Sequence, residues 1–126
     1  MERVLIRRAI EAMTNAYAPY SKFPVGAALL TAEGEIITGC NVENASYGLT
    51  MCAERVAMYT ACCKGKPEIT HITVAANTDE PISPCGACCQ VMVELAPNAE
   101  IILTNRDGSQ TITTKIEELL PFSFQL

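Results

Sequence analysis

The sequence predicts an α/β fold in which helices cover a mixed sheet. Segments with helical spacing alternate with short strand-like segments in the order αββαβαβ, followed by a tail. An alternating order of this kind gives a mixed sheet covered by helices. The chain has 126 residues and is 49% hydrophobic. That length and composition suit one domain with a buried core, spanning residues 1–126.

The N-terminal third of the chain predicts a helix followed by a β-hairpin. Apolar residues recur at helical spacing from Val4 to Tyr17, and Pro19 ends the pattern. The segments Val25–Thr31 and Glu35–Cys40 are rich in apolar and β-branched residues, and Glu33-Gly34 lies between them. Two such segments joined by a short glycine-containing turn indicate a hairpin.

The middle of the chain predicts a helix and a strand between two loops. Asn41–Tyr47 is a polar loop, and Cys52–Lys64 is rich in the helix formers Ala, Met and Glu. Gly65-Lys66-Pro67 ends that helix. The β-branched segment Ile69–Ala76 predicts a buried strand, and Asn77–Pro84, with two prolines, predicts a loop.

The C-terminal third predicts one core helix, one strand and a short last helix. Cys85–Leu95 is an apolar stretch of helical length, and Glu100–Thr104 is a β-branched strand. Asn105–Gly108 has the composition of a turn, and Ile116–Leu120 predicts the last helix.

The charge and the termini restrict the possible partners. The formal net charge is −5 and the sequence pI is about 4.8, and no basic run is present. A chain of this kind is a poor ligand for polyanions, so we expect no nucleic-acid polymer as a partner. Neither a secretory signal nor an apolar run of membrane-spanning length is visible. We therefore expect a cytoplasmic protein with no membrane partner.

The seven cysteines are the most informative feature of the composition. Their number is odd and the expected compartment is reducing, so metal binding or catalysis explains them better than disulfides do. Cys40, Cys62 and Cys63 have no partner pattern, and we expect them to pack as small hydrophobic side chains. The remaining four are Cys52, Cys85, Cys88 and Cys89.

Three of those cysteines fall in the first turns of two predicted core helices. Cys52 opens the first helix, and Cys85 and Cys88 open the second. Helix N-termini lower thiol pKa values, so three thiolates can meet at one point. Zinc favours sulfur ligands, and three protein ligands leave a fourth position for a water that ionises near neutral pH.

Two side chains beside Cys52 complete this candidate site. Glu54 follows Cys52 too closely to be an independent ligand with relaxed geometry, but it is well placed to take a proton from the water and hand it on. Three thiolates on Zn²⁺ leave a net charge of about −1. Arg55 is expected to donate hydrogen bonds to the thiolates and to neutralise part of this charge.

The combined motifs resemble those of the small, homotetrameric, zinc-dependent cytidine deaminases. The Cys52-Ala53-Glu54 and Pro84–Cys88 motifs match the all-cysteine form of the zinc deaminase signature. The segments AYAPYSKFPVGAAL (16–29), GCNVENA (39–45) and ELLP (118–121) also resemble that family. The resemblance covers the chain from about residue 16 to residue 124.

The resemblance implies a three-layer α/β/α sandwich with a mixed five-stranded sheet and one zinc ion per subunit. It implies hydrolysis of cytidine and 2′-deoxycytidine to uridine and 2′-deoxyuridine, with release of ammonia, in pyrimidine salvage. It also implies a homotetramer whose neighbouring subunits complete each active site. The resemblance implies that zinc is bound by Cys52, Cys85 and Cys88 and that Glu54 transfers protons. For the substrate, it implies that Phe23 packs on the base, that Asn41 and Glu43 bind the ribose 3′-hydroxyl, and that the backbones of Ala53 and Ser83 contact the base. It also implies that Ala45, Tyr47 and Phe124 contribute to the site of a neighbouring subunit.

One position departs from the family pattern, and three other functions stay open. Cys89 stands where the family usually has arginine, which leaves more of the charge neutralisation to Arg55. A deaminase of a related aminopyrimidine such as blasticidin S is one alternative, although the Asn41 and Glu43 pair favours a riboside. A structural zinc module is another alternative, and it would need a fourth protein ligand, either Cys89 or His71. We otherwise expect His71 to have no role in metal binding. A redox protein would form a reversible Cys85–Cys88 disulfide.

Overall fold

A computed structural model describes all residues of the chain, 1–126. It contains five strands, four α-helices and one short 3₁₀ turn. In chain order these are α1 (Glu2–Met13), β1 (Val25–Thr31), β2 (Ile36–Cys40), the 3₁₀ turn (Tyr47–Leu49), α2 (Ala53–Cys63), β3 (Ile69–Ala76), α3 (Gly86–Leu95), β4 (Glu100–Thr104), β5 (Thr111–Thr114) and α4 (Ile116–Leu119).

The strands form one mixed sheet in the order β2-β1-β3-β4-β5. Strand β1 runs antiparallel to both β2 and β3, β3 runs parallel to β4, and β4 runs antiparallel to β5. Helix α3 provides the crossover that the parallel pair requires. The mixed five-stranded sheet expected from the resemblance is confirmed.

Helices cover both faces of the sheet and give three layers. Helix α1 packs on one face through Leu5 and Ala9, and the larger hydrophobic core lies on the other face against α2 and α3. Two glycines let the helices approach closely. A Cβ atom at Gly26 would lie 2.0 Å from the carbonyl oxygen of Ala9 in α1. A Cβ atom at Gly39 would lie 2.6 Å from the carbonyl oxygen of Ala53 in α2.

The first helix is shorter than its apolar pattern predicts. It ends at Met13, and Tyr17 leaves the helix to pair with the segment that follows β2. The backbone N–H of Tyr17 donates to Asn41 and its carbonyl accepts from Glu43. These two backbone bonds replace the helical ones, so the prediction of a helix to Tyr17 is wrong at its C-terminal end.

The apolar pattern of the sequence also failed to predict strand β5. Thr111–Thr114 pairs with β4 after the predicted turn, but three of its four residues are exposed. A short edge strand that buries one side chain has little apolar pattern to detect. The loop predicted after β2 contains the 3₁₀ turn at its end. None of the helices has the length and apolar character needed to cross a membrane.

The sheet brings three connections to the same edge. Val25, at the start of β1, pairs with Ala76, at the end of β3. Gly26 pairs with Cys40, at the end of β2. The segment before β1, the segment after β2 and the loop after β3 therefore meet at one edge, where helices α2 and α3 also begin.

Candidate active site

A cavity of about 450 Å³ opens at this edge of the sheet. A volume of this size lies within the usual range for small-molecule sites. Eight of the predicted site residues line it. They are Phe23, Asn41, Glu43, Cys52, Ala53, Glu54, Ser83 and Cys85.

Three cysteine sulfurs converge beside the cavity, and two of these cysteines, Cys52 and Cys85, line it. Cys52 and Cys85 are the N-cap residues of α2 and α3, and Cys88 lies one turn into α3. The three Sγ atoms lie within 4.8 Å of one another, and those of Cys52 and Cys85 are 3.7 Å apart. Tetrahedral zinc holds thiolates at about 2.3 Å, which spaces their sulfurs about 3.8 Å apart. The sulfur spacing therefore fits a zinc ion bound by three cysteines.

The surroundings favour the thiolate form of Cys52, whereas the hydrogen bond with Cys52 and burial raise the pKa of Cys88. The Nη2 atom of Arg55 donates to the Sγ atom of Cys52 over 3.3 Å. The Sγ atom of Cys85 accepts a hydrogen bond from the backbone N–H of Cys88. The neighbouring Cys88 thiol, and after it the Arg55 guanidinium, lower the pKa of Cys52 to about 5. Thiolates are the forms that bind zinc.

Glu54 is a buried carboxyl group beside these sulfurs. It lies in the first turn of α2, lines the cavity, and its side chain is 4% exposed. Burial, together with the charge of Cys52, raises the pKa of Glu54 to about 7. A carboxyl group that takes up and releases a proton near neutral pH suits acid–base catalysis.

Asn41 fixes the segment that enters β1. Its Oδ1 atom accepts a hydrogen bond from the backbone N–H of Val25 over 2.8 Å, and its Nδ2 atom donates to the carbonyl of Phe23 over 2.9 Å. The amide group therefore holds the backbone on both sides of Pro24. One N–H and one lone pair of Asn41 are left for a ligand.

Glu43 holds the preceding part of the same segment. Its carboxylate accepts hydrogen bonds from the backbone N–H groups of Tyr20 and Ser21 and from the Ser21 hydroxyl. The bond from the Ser21 side chain is the main reason that the pKa of Glu43 is lowered. The Ser21 hydroxyl in turn accepts from the backbone N–H of Phe23. Sequence reasoning missed Ser21, because a serine in a loop carries no signal of its own.

Another part of the cavity wall is formed by the loop between β3 and α3. Ile82, Ser83 and Pro84 line the cavity. The backbone N–H and carbonyl of Ser83 make no hydrogen bond within the chain, so both are free to bind a ligand. The sequence prediction named Ser83 as a site residue and Pro84 only as part of the zinc motif, and it missed Ile82.

Five predicted site residues do not line the cavity of their own chain. Cys88 and Arg55 lie beside Cys52, and the other three, Ala45, Tyr47 and Phe124, lie at the surface. Ala45 and Tyr47 are exposed, and Tyr47 contacts Tyr20 edge to face, with ring centroids 6.3 Å apart. Phe124 is 68% exposed, and its carbonyl accepts a hydrogen bond from the Gln90 side chain. The structure does not bring these three residues to the sulfurs of the same chain.

The other cysteines and the single histidine lie apart from the sulfur cluster. The expectation that Cys62 and Cys63 pack as small hydrophobic side chains is wrong, because both are exposed at the C-terminal end of α2, and Cys40 is half-buried. The Cys89 side chain is buried and contacts the carbonyl of Pro84 over 3.8 Å. Burial raises the pKa of the Cys89 thiol. His71 lies near Glu100, with 3.8 Å between Nε2 and the carboxylate oxygen, at the opposite end of β3. No fourth protein ligand therefore joins Cys52, Cys85 and Cys88.

The sequence model of the cytidine and deoxycytidylate deaminase zinc-binding region matches residues 1–104. Cytidine deaminase from Halalkalibacterium halodurans is 51% identical over 124 residues, which cover 97% of this chain and 92% of that protein. Cytidine deaminase from Sporosarcina psychrophila is 46% identical over 95% of this chain and 88% of that protein.

Solved structures are similar over the same length. The crystal structure of cytidine deaminase from Burkholderia pseudomallei superposes with a TM-score of 0.94 at 48% identity, covering 98% of this chain and 99% of that one. The cytidine deaminase from Mycobacterium tuberculosis gives a TM-score of 0.85 at 35% identity over 99% and 98% of the two chains. With its three-cysteine cluster and its adjacent buried glutamate, the chain belongs to the zinc-binding cytidine and deoxycytidylate deaminase family.

Proposed function

We propose that the protein hydrolyses cytidine and 2′-deoxycytidine to uridine and 2′-deoxyuridine, with release of ammonia. The observation that carries this proposal is a cluster of three cysteine sulfurs beside the buried carboxyl group of Glu54, next to a cavity large enough for a nucleoside. The full-length similarity to proteins named cytidine deaminase supports it. The whole chain is proposed to act as one deaminase domain.

Zinc is held by Cys52, Cys85 and Cys88, whose sulfurs have the required spacing. When bound, it lowers the pKa of a water to near neutrality and so supplies the nucleophile for C4 of the base. Arg55 donates to Cys52 and reduces the negative charge on the thiolates. The motif resemblance leads us to expect an arginine at position 89, where this chain has Cys89. Arg55 therefore neutralises the thiolate charge without a second arginine at that position.

Glu54 moves the protons of the reaction. Cytidine and water give uridine and ammonia, so one proton of the water ends on N3 of the base and the other on the leaving amino group. Glu54 is buried next to the sulfurs and lines the cavity. Its carboxylate takes each proton from the attacking water and delivers it to the base and then to the amine.

The cavity walls bind the nucleoside. Phe23 packs against the pyrimidine ring, and the remaining hydrogen-bonding capacity of Asn41 and Glu43 binds the ribose 3′-hydroxyl. The backbones of Ala53 and Ser83 bind the base edge and the amino group. The amide of Asn41 and the carboxylate of Glu43 favour a riboside over a free base or an aminopyrimidine antibiotic.

A nucleoside fits the charges of the site better than a nucleotide does. Glu43 and Glu54 are the only carboxyl groups that line the cavity, and no Lys, Arg or His lines either the cavity or the adjoining polar cleft. A 5′-phosphate would therefore meet carboxylates and no cation. Like charges brought together at a binding surface cost several kcal/mol.

We also propose a homotetramer in which neighbouring chains complete each active site. Ala45, Tyr47 and Phe124 are exposed in one chain and are proposed to reach the cavity of another. Apolar side chains exposed near the cavity mouth provide a surface for this contact. They include Tyr17, Tyr20, Val42, Tyr47 and Leu49. Seven free cysteines suit the reducing cytoplasm, where the enzyme would act in pyrimidine salvage.

A structural zinc module and a redox protein are less favoured by the geometry. A structural site would need a fourth protein ligand, and neither Cys89 nor His71 joins the cluster. A redox dithiol does not require a third sulfur and a buried glutamate beside its two cysteines.

Replacing Glu54 with glutamine should abolish deamination without removing zinc. The variant keeps the shape of the side chain but cannot carry a proton, and general acid–base catalysis contributes about 10²–10⁴-fold to a rate. We expect kcat for cytidine to fall by at least this factor, with about one zinc per chain retained by elemental analysis. Glu94→Gln, on the exposed side of α3, is the matched control. Normal turnover by Glu54→Gln would refute the proton-transfer role.

Replacing Cys85 with alanine should remove zinc and loosen the contact between α2 and α3. The remaining two thiolates make a poor zinc site, and metal binding is coupled to folding. We expect less than about a tenth of the zinc content, no activity and a lower melting temperature. Cys62→Ala, which changes an exposed cysteine outside the cluster, should keep zinc, activity and melting temperature. A fully zinc-loaded Cys85→Ala variant would show that the ligand set is wrong.

Cytidine 5′-monophosphate should be a much poorer substrate than cytidine. A cost of several kcal/mol for placing the phosphate beside carboxylates corresponds to a kcat/KM at least about 100-fold lower. The comparison is made with both substrates at the same pH and ionic strength, by following the loss of cytosine absorbance. Equal kcat/KM values would mean that a cation outside this chain's own cavity binds the phosphate.

A further inference from the structure

The loop that forms one wall of the cavity, residues 77–84, is held from outside by the turn after β4. The backbone N–H of Arg106 donates to the carbonyl of Thr78 over 3.1 Å. The buried side chain of Asn105 donates to the carbonyl of Asp79 over 2.9 Å. Two consecutive residues of one turn therefore fix two consecutive residues of the loop.

The guanidinium of Arg106 adds three bonds to the same part of the loop. Its Nε atom donates to Asn77 Oδ1 over 3.1 Å, and its Nη2 atom donates to the Asn77 carbonyl over 3.3 Å. Its Nη1 atom donates to the carboxylate of Asp79. Only a planar group with several donors in fixed directions can bind all three acceptors at once.

Asn77 also joins two parts of the cavity wall. Its backbone N–H donates to the carbonyl of Pro24 over 3.3 Å, and Pro24 directly follows Phe23. The side chain and the carbonyl of Asn77 face Arg106 at the same time. A displacement of Asn77 would therefore move both the part of the cavity wall that contains Phe23 and the part formed by residues 77–84.

The part of the loop beyond this anchor has little support of its own. The backbones of Pro81, Ile82 and Ser83 make no hydrogen bond within the chain. The next hydrogen-bonded backbone group is the carbonyl of Pro84, which accepts from the Ser83 hydroxyl and from the Cys89 thiol in α3, and Cys85 then follows as the N-cap of α3. The position of the wall around Ile82 and Ser83 thus depends on its two ends, one held by Arg106 and one by the start of α3.

We propose that Arg106 is a positioning residue for the deamination reaction, acting through Asn77 and Asp79 on the cavity wall. This inference rests on the proposed function, because the reaction supplies one of its two readouts. Arg106 does not line the cavity. Its side chain is 46% exposed and that of Asp79 is 91% exposed. An exposed ion pair contributes little to global stability, so an effect on catalysis is separable from unfolding.

The test compares Arg106→Ala with wild type as full-length, zinc-loaded protein. A wall misplaced by about 1 Å can cost about 100-fold in rate. We expect kcat/KM for cytidine to fall between about 10-fold and 100-fold, mainly through a higher KM. Zinc content and melting temperature should stay close to wild type. Arg106→Lys keeps the positive charge but lacks the planar guanidinium with its several donors, so its kcat/KM should lie between those of Arg106→Ala and wild type.

Two further variants make the comparison specific. Arg7→Ala removes an exposed arginine from α1, where it faces Glu11, and should leave the kinetics unchanged. Asn77→Ala should reproduce the loss caused by Arg106→Ala. The double variant of Arg106 and Asn77 should lose less than the two single effects added together, because both changes break the same bonds.

Hydrogen–deuterium exchange provides a readout that does not depend on the substrate. Peptides that contain the amides of Asn77 and Thr78, the two in this loop that donate backbone hydrogen bonds, should exchange faster in Arg106→Ala than in wild type, and peptides from α1 should not change. Unchanged exchange in this loop would overturn the inference. So would kinetics equal to those of Arg7→Ala, or a loss explained entirely by lower zinc content. A wild-type protein that fails to convert cytidine would instead refute the proposed function, while the exchange result still decides the role of Arg106.

Discussion

The close approach of three cysteine sulfurs is the constraint on which the rest of the site depends. Sulfurs that lie within 4.8 Å of one another require α2 and α3 to begin side by side. They do so because the pairing of β1 with both β2 and β3 brings the ends of β2 and β3 to one edge. Gly39 lets the backbone of α2 lie directly against β2. The zinc site is thus a consequence of sheet order and close helix packing.

The negative charge collected at this edge must be offset locally. Three thiolates and two carboxylates line or adjoin one cavity, and the positive ends of two helices face the sulfurs. Arg55 is the one basic side chain bonded to the cluster, and the buried thiol of Cys89, whose pKa burial raises, adds no cation. The walls are held by neutral hydrogen bonds from Asn41 and by the bonds of Glu43 to Tyr20 and Ser21.

The parts predicted well from the sequence are those set by local patterns. Strands Val25–Thr31, Ile69–Ala76 and Glu100–Thr104 match their predicted bounds, because apolar or β-branched segments bounded by turn residues mark buried strands. Strand β5 was missed because most of it is exposed. The cysteine motifs indicated the zinc cluster, but the bonds between Arg106 and Asn77 join residues 29 positions apart. Such contacts exist only once the sheet has formed.

A three-cysteine zinc site and Glu54 are proposed to deaminate a nucleoside. The most direct measurement uses protein purified without added metal, with zinc content and the ultraviolet change on conversion of cytidine to uridine determined in the same sample. We predict about one zinc per chain and rapid formation of uridine with one ammonia released per turnover. A folded, zinc-loaded sample that leaves cytidine unchanged would contradict the account.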